Sequence, residues 1–179
     1  LSRVRLVPIF VVAIFVLSIL FGGWQAYQHF NLLNPLKRNL QQVAGVQTVN
    51  ISTGSPDLVQ IQLGPFDKLK NGDLQQTYHA ISTQIENRLG TNVSLQISDN
   101  HEGPLTQVFE SSFVFYIQEG IAKQNYTQMV SQVAELAKKD GIDARLTMDS
   151  QDIYIQLAKG NSYLYRVIPY GNRQGGAST

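Results

Sequence analysis

Four groups of side chains in the sequence have the types and spacing that chemistry needs. The loop Asp99-Asn100-His101-Glu102 crowds oxygen and nitrogen donors of the kind that hold a divalent ion. It lacks the Asp-x-Asp-x-Asp-Gly spacing of an EF-hand, and Gly103-Pro104 beside it reads as an ordinary strand-to-helix turn. Asp140, Asp143, Asp149 and Asp152 bracket one expected strand and could supply a carboxylate pair for acid–base work. Three of them fall at helix-end or turn positions, and no partner base is evident. His29, His79 and His101 are spread over stem, helix and loop, so a three-histidine metal site needs the stem to fold back.

The fourth group is aromatic. Tyr154, Tyr163, Tyr165 and Tyr170 gather in the last expected hairpin. On a strand over 163–168, Tyr163, Tyr165 and Val167 share one face while Leu164, Arg166 and Ile168 share the other, so both faces are largely apolar. Such a strand is either central in a sheet covered on both sides or part of a contact surface. The four tyrosines are therefore the candidate interaction surface. Beyond these groups the chain has no cysteine, HExxH, GxSxG, Walker loop or GxGxxG, which removes the usual signatures of thiol, zinc-protease, serine-hydrolase and nucleotide chemistry. The expectation is a non-enzymatic protein with no catalytic residues, no cofactor and no metal.

The elements that must position these residues follow from periodicity. Leu36, Leu40, Val43 and Ala44 recur at helical spacing after Asn34-Pro35 and before Gly45. Val49 and Ile51, then Val59, Ile61 and Leu63, alternate with polar residues around Gly54-Ser55-Pro56-Asp57, which predicts a β-hairpin with one buried face. Asp73 suits the N-cap of a helix striped by Leu74, Tyr78, Ile81, Ile85 and Leu89 and ended by Gly90, and Val93, Leu95 and Ile97 predict a third strand. Leu105 to Lys123 reads as a buried helix, with Phe113 to Ile117 also compatible with a strand. Asn125 with Gln128 resembles a capping box for a helix over 126–139, with Met129, Val130, Val133, Ala134 and Ala137 inward. Strands are expected over 142–148, 153–157 and 163–168. The fold class is thus α+β, in two small modules: α-β-β-α-β over 36–98 and α-α-β-β-β over 105–170. The Gly-rich tail, 171–179, is expected to be flexible.

Ahead of the modules, Leu6 to Trp24 runs 19 residues without a charge. At 1.5 Å per residue such a helix covers about 28 Å, close to the roughly 30 Å hydrocarbon core of a bilayer. Cleavable signals have a shorter apolar core and a small-x-small site, which the sequence Phe21-Gly22-Gly23-Trp24-Gln25-Ala26-Tyr27 lacks. Arg3, Arg5, Leu6, Trp24 and Tyr27 therefore read as the residues of a retained signal-anchor, with basic residues on one flank and an aromatic belt on the other. A transmembrane helix over 6–28 would leave 1–5 in the cytoplasm and lead through a stem at 29–35 to an extracytoplasmic domain. The net charge of +1 leaves 12 basic against 13 acidic residues once Arg3 and Arg5 are set aside, so no basic face for nucleic acid is implied.

The order α-β-β-α-β directly after one N-terminal anchor resembles the ring-building domains of bacterial sporulation-channel and secretion-system proteins. The residues that carry it are Gly45, the 46–63 hairpin, the stripe Leu74 to Leu89 and strand 93–98, about a third of the chain. The resemblance implies self-association side by side around a membrane and brings no catalytic motif. The three-strand meander of the second module departs from that pattern. The expected function is a single-pass, membrane-anchored binding or assembly domain of the cell envelope, with the bilayer and a second copy or other envelope proteins as partners. Two alternatives stay open: a domain that binds a small ligand between the modules, and an envelope enzyme that uses carboxylates without a signature.

Overall fold

In the computed structural model the structure describes residues 6–27, 33–99 and 104–171. The first helix, α1 (Leu6–Tyr27), has no charged residue, and every described side chain on it, from 10 to 23, is exposed. Phe10, Phe15 and Phe21 are 65%, 67% and 74% exposed. Among the described residues no helix is long and apolar enough to cross a membrane. The helix expected over 6–28 is present as an exposed apolar helix over 6–27. Arg3 and Arg5 lie outside the described residues, as do the side chains of Leu6, Trp24 and Tyr27, most of the stem and the tail beyond 171.

The first module forms as its periodicity dictates. Helix α2 (Asn34–Gln41) starts two residues earlier than its apolar stripe, because Pro35 is tolerated in a first turn where its missing N–H has no acceptor to lose. Strands β1 (Val46–Ser52) and β2 (Asp57–Leu63) pair antiparallel as the expected hairpin. Helix α3 (Leu74–Leu89) opens on Asp73, whose carboxylate accepts from the Gln76 N–H at 2.8 Å. It then leads to β3 (Val93–Ser98), which lies parallel to β2, so the sheet order is β1-β2-β3.

In the second module the chain from 104 to 123 is helical throughout, which settles the helix-or-strand ambiguity. Helix α4 (Pro104–Val108) passes through a π-helical stretch, Phe109–Phe113, into α5 (Val114–Lys123). One face buries Leu105, Phe109, Phe113 and Ile117. Helix α6 (Tyr126–Asp140) is capped by Asn125, whose side chain bonds both the N–H and the side chain of Gln128, and ends at Gly141 in the left-handed conformation. Met129, Val133 and Ala137 face inward as expected, whereas Val130 and Ala134 are exposed. The buried stripe is two residues narrower than the expected apolar pattern, on a helix that packs against α5 and β4. Strands β4 (Asp143–Met148), β5 (Asp152–Lys159) and β6 (Ser162–Pro169) form an antiparallel meander.

Two clusters of buried side chains fill the protein. One lies between β4–β6 and α4–α6 and contains Ile153, Ile155, Leu157 and Leu164. The other joins the modules: Leu36, Leu40, Ile61, Leu63, Leu74 and Ile81 of the first pack with Tyr154, Tyr163 and Tyr165 of the second. The second sheet is thus covered on both faces, and the six residues 152–157 of β5 are all buried.

Candidate interaction surfaces

That arrangement corrects the reading of the tyrosines. Tyr154, Tyr163 and Tyr165 are 1%, 7% and 1% exposed, so they belong to the seam between modules rather than to a free surface. Each hydroxyl has an acceptor, as a buried phenol requires. Tyr163 donates to the Leu63 carbonyl at 3.2 Å and Tyr165 to the Gly64 carbonyl at 2.7 Å. Burial raises the pKa of both, with neighbouring negative groups adding to it, so they remain protonated donors. Tyr170 is partly buried, stacks on Tyr126 with ring centroids 5.3 Å apart, and donates to the Asp149 carbonyl.

The titratable residues singled out from sequence are mostly spent on turns and seams. Asp149 Oδ1 accepts from the Gln151 and Asp152 N–H groups at 2.8 and 2.9 Å, closing the β4–β5 turn. Its Oδ2 accepts from Tyr154 at 2.7 Å and lies 2.9 Å from Nε2 of His79 on α3. Partial burial alone would raise the Asp149 carboxyl, but these two backbone donors, with Tyr154 and His79, outweigh it and hold the pKa at about 2. Tyr154 is pushed up by burial and by that carboxylate, and its proton is committed to it. The trio has an acid and a ring nitrogen but no nucleophile beside them. What it does is fasten α3 to the second sheet.

Asp99, the one described residue of the loop that suggested a metal, is engaged with β6 instead. Its side chain is fully buried and accepts from the Tyr165 N–H at 2.6 Å and from Arg166 at 3.2 Å, tying the end of β3 to β6. Asn100, His101, Glu102 and His29 lie outside the described residues, and among the described residues no three His, Cys, Asp or Glu side chains gather as a metal site. Among the described residues Asp140 offers its carbonyl, which accepts from Lys159 at 2.7 Å. Asp143 lines a hollow of about 250 Å³ at the seam together with Asp67, Phe66 and Tyr163. Both carboxylates are open to water, and Asp67 is paired with Lys68 at 3.2 Å.

A different surface emerges from the register of the first sheet. Its outer face is three cross-strand rows: Thr48, Gln62 and Ser98; Asn50, Gln60 and Gln96; Ser52, Leu58 and Ser94. None of the nine side chains is charged, and seven are exposed. Across the middle row the carboxamides bond to one another, Asn50 to Gln60 at 3.5 Å and Gln60 to Gln96 at 3.2 Å. The signal was present in sequence as three strands whose outward positions hold Ser, Thr, Asn, Gln and one Leu, but it needs the strand register to become one face.

Fold and surface together define an α+β domain of two interlocked modules, preceded by an exposed apolar helix and presenting a charge-free sheet face. Neither a protein-family model, nor a curated protein, nor a solved structure matches the chain.

Proposed function

We propose that this protein is a membrane-tethered binding and assembly domain without catalytic chemistry of its own. The observation that carries the proposal is the outer face of β1–β3, where nine neighbouring side chains include no charge. Solvated sheet faces ordinarily carry Lys, Glu or Arg; the centre of a protein interface is depleted of them, because a charge stripped of water without a partner is costly. The bonded row Asn50–Gln60–Gln96 fixes its amide groups in advance, which lowers the entropy lost on docking. Strand β1, an edge of that sheet, has neither a charge nor a proline to block another strand. The occupant that fits is a second copy of this chain, meeting the same uncharged face, in keeping with the ring-type assembly that the order of elements suggests.

Helix α1 is the tether in this reading. Its helical backbone runs 22 residues, about 33 Å, with ten large apolar side chains exposed between 10 and 21. By the positive-inside bias, Arg3 and Arg5 before it support a cytoplasmic N-terminus with the two modules outside. Sedimentation velocity on the full chain in non-ionic detergent tests the assembly. The expected result is an oligomer that Gln60→Lys, with unchanged circular dichroism, dissociates; a protein monomeric at every concentration overturns the reading. Flotation with lipid vesicles, lost on deletion of residues 1–27, checks the tether.

A further inference from the structure

We infer that two copies of this chain join edge to edge, β1 against β1, antiparallel about Asn50, so that two three-stranded sheets become one sheet of six strands; the edge contact rests on the assembly reading and names the strands that make it. Of the four strand edges in the two sheets, β4 carries Asp143 and Arg145, and β6 carries Arg166 and ends on Pro169, features that discourage a further strand. Strand β3 runs into Asp99, whose carboxylate is held by the Tyr165 N–H and by Arg166 of β6. Strand β1 holds neither a charge nor a proline.

The register of β1 shows what can lie against it. Its ladder with β2 shifts between Val46 and Thr48 and then runs unbroken from Thr48 to Ser52, a stretch centred on Asn50. On either side of that centre the side chains match in kind: Val49 and Ile51 are apolar and β-branched, and Thr48 and Ser52 carry hydroxyls. A copy related by a two-fold axis at Asn50 therefore sets Val49 against Ile51, Thr48 against Ser52 and Asn50 against itself, and no pair opposes like charges. The apolar pairs fall on the core side of the sheet. There Val49 is buried but Ile51 is still partly exposed, so the partner strand covers apolar surface that one copy leaves open. On the outer side a carboxamide is its own complement, because it both donates and accepts. Asn50 gives one amide hydrogen to Gln60; its second hydrogen and its oxygen can meet their counterparts on the second Asn50. The row Asn50–Gln60–Gln96 then continues through the axis as six carboxamides. Many strands could pair with an open backbone edge, but the matching of side chains on both faces about one residue singles out a copy of this chain.

The chain has no cysteine, so each introduced one is the only thiol in its copy. Single-cysteine variants of the full chain, in non-ionic detergent and with unchanged circular dichroism, are oxidised with copper phenanthroline, and disulfide dimers are followed on non-reducing gels. Opposite Cα atoms of antiparallel neighbours lie about 4.5 to 5.5 Å apart, within reach of a disulfide. Asn50→Cys is expected to form dimers about tenfold or more faster than Ala122→Cys, an exposed position on α5 that reports random collision, because docking holds the two thiols at about millimolar effective concentration. Thr48→Cys and Ser52→Cys each lie about 13 Å from their own counterpart along the strand and do not pair alone, whereas a mixture of the two gives the heterodimer. Rapid pairing of Thr48→Cys with itself, or no heterodimer from the mixture, overturns the contact. If Gln60→Cys links copies and Asn50→Cys does not, the copies stack by their faces: the edge contact is overturned and the assembly reading stands. If no position exceeds Ala122→Cys the edge contact is overturned, and sedimentation of the parent chain as a monomer then overturns the assembly reading as well.

Discussion

The side chains that join the modules are polar groups with complete partners, and each can be tested alone. Gln156 is 1% exposed and points from β5 into the first module, where its carbonyl accepts from the Leu74 N–H at 2.8 Å and its amide donates to the Gly72 carbonyl at 3.2 Å. Leu74 is the first residue of α3, so Gln156 satisfies an N–H that the helix itself leaves open. Gln156→Leu strands the buried Leu74 N–H, while the Gly72 carbonyl keeps its bond from Arg145 at 3.3 Å, and the change is expected to cost about 1 to 3 kcal/mol in urea unfolding at pH 7. Asp149 gives a pH test. Its folded pKa of about 2 lies below the unfolded value of 3.8, so its contribution is fully present above 3.8 and is lost as the pH falls to about 2. Asp149→Asn keeps an oxygen for the Gln151 and Asp152 N–H groups while removing the titration. The stability of the variant measured from pH 5 to 2 should therefore fall less steeply than that of the parent; parallel curves would contradict the assignment. From sequence, Asp149 was legible as a turn residue, because a turn needs a short acceptor side chain. That its second oxygen meets His79, 70 residues away, was not, since nothing local encodes which helix lies over the turn.

At the scale of elements, the sequence was most informative where one face alone is buried. The hairpin, the Asp73 cap of α3 and the Asn125 cap of α6 follow from local spacing and local hydrogen bonding, and they form where expected. Legibility failed where apolar residues are not confined to the buried face, as at Phe115, which is 66% exposed. Residues 109 to 117 are apolar on more than one face, and periodicity alone leaves helix and strand open; the packing of Phe109, Phe113 and Ile117 on the second sheet selects the helix. Gly120 belongs to the same surface. A Cβ there would stand 2.5 Å from the Met129 Cβ, so α5 and α6 approach as closely as they do only because position 120 has no side chain. Gly120→Ala gains about 1 kcal/mol of helix propensity, but the clash is with an atom next to the backbone that no rotamer change can move. The net expectation is a loss of about 1 to 2 kcal/mol in thermal or urea unfolding, the overpacking cost exceeding the propensity gain. An unchanged or raised stability would show that the helices separate freely.

For the whole molecule the decisive fact is that the two modules share one core. The sequence divides cleanly at 99–104 into two grammatical units, and reading them as neighbours is natural because each has its own helices and strands. What no local pattern conveys is that Tyr154, Tyr163 and Tyr165 complete the core of the other unit, with Leu36, Ile61, Leu63 and Leu74. The sequence did carry a trace of this: β6 is apolar on both faces, which a sheet covered on one side does not need. If the seam is a true core, the modules cannot fold separately. A fragment ending at residue 99 would leave Leu63 and the Gly64 carbonyl exposed and Asp99 without Tyr165 and Arg166, while one starting at 104 would expose three tyrosines whose hydroxyls lose their acceptors or neighbours. Each fragment alone is therefore expected to show poor amide dispersion by NMR and no cooperative unfolding, and mixing the two should restore both. Independent cooperative folding of residues 33–99 would instead make the tyrosines an interface between finished domains. In that case Tyr165→Phe, which removes the bond to the Gly64 carbonyl, would weaken docking of the modules and leave the unfolding of each one untouched.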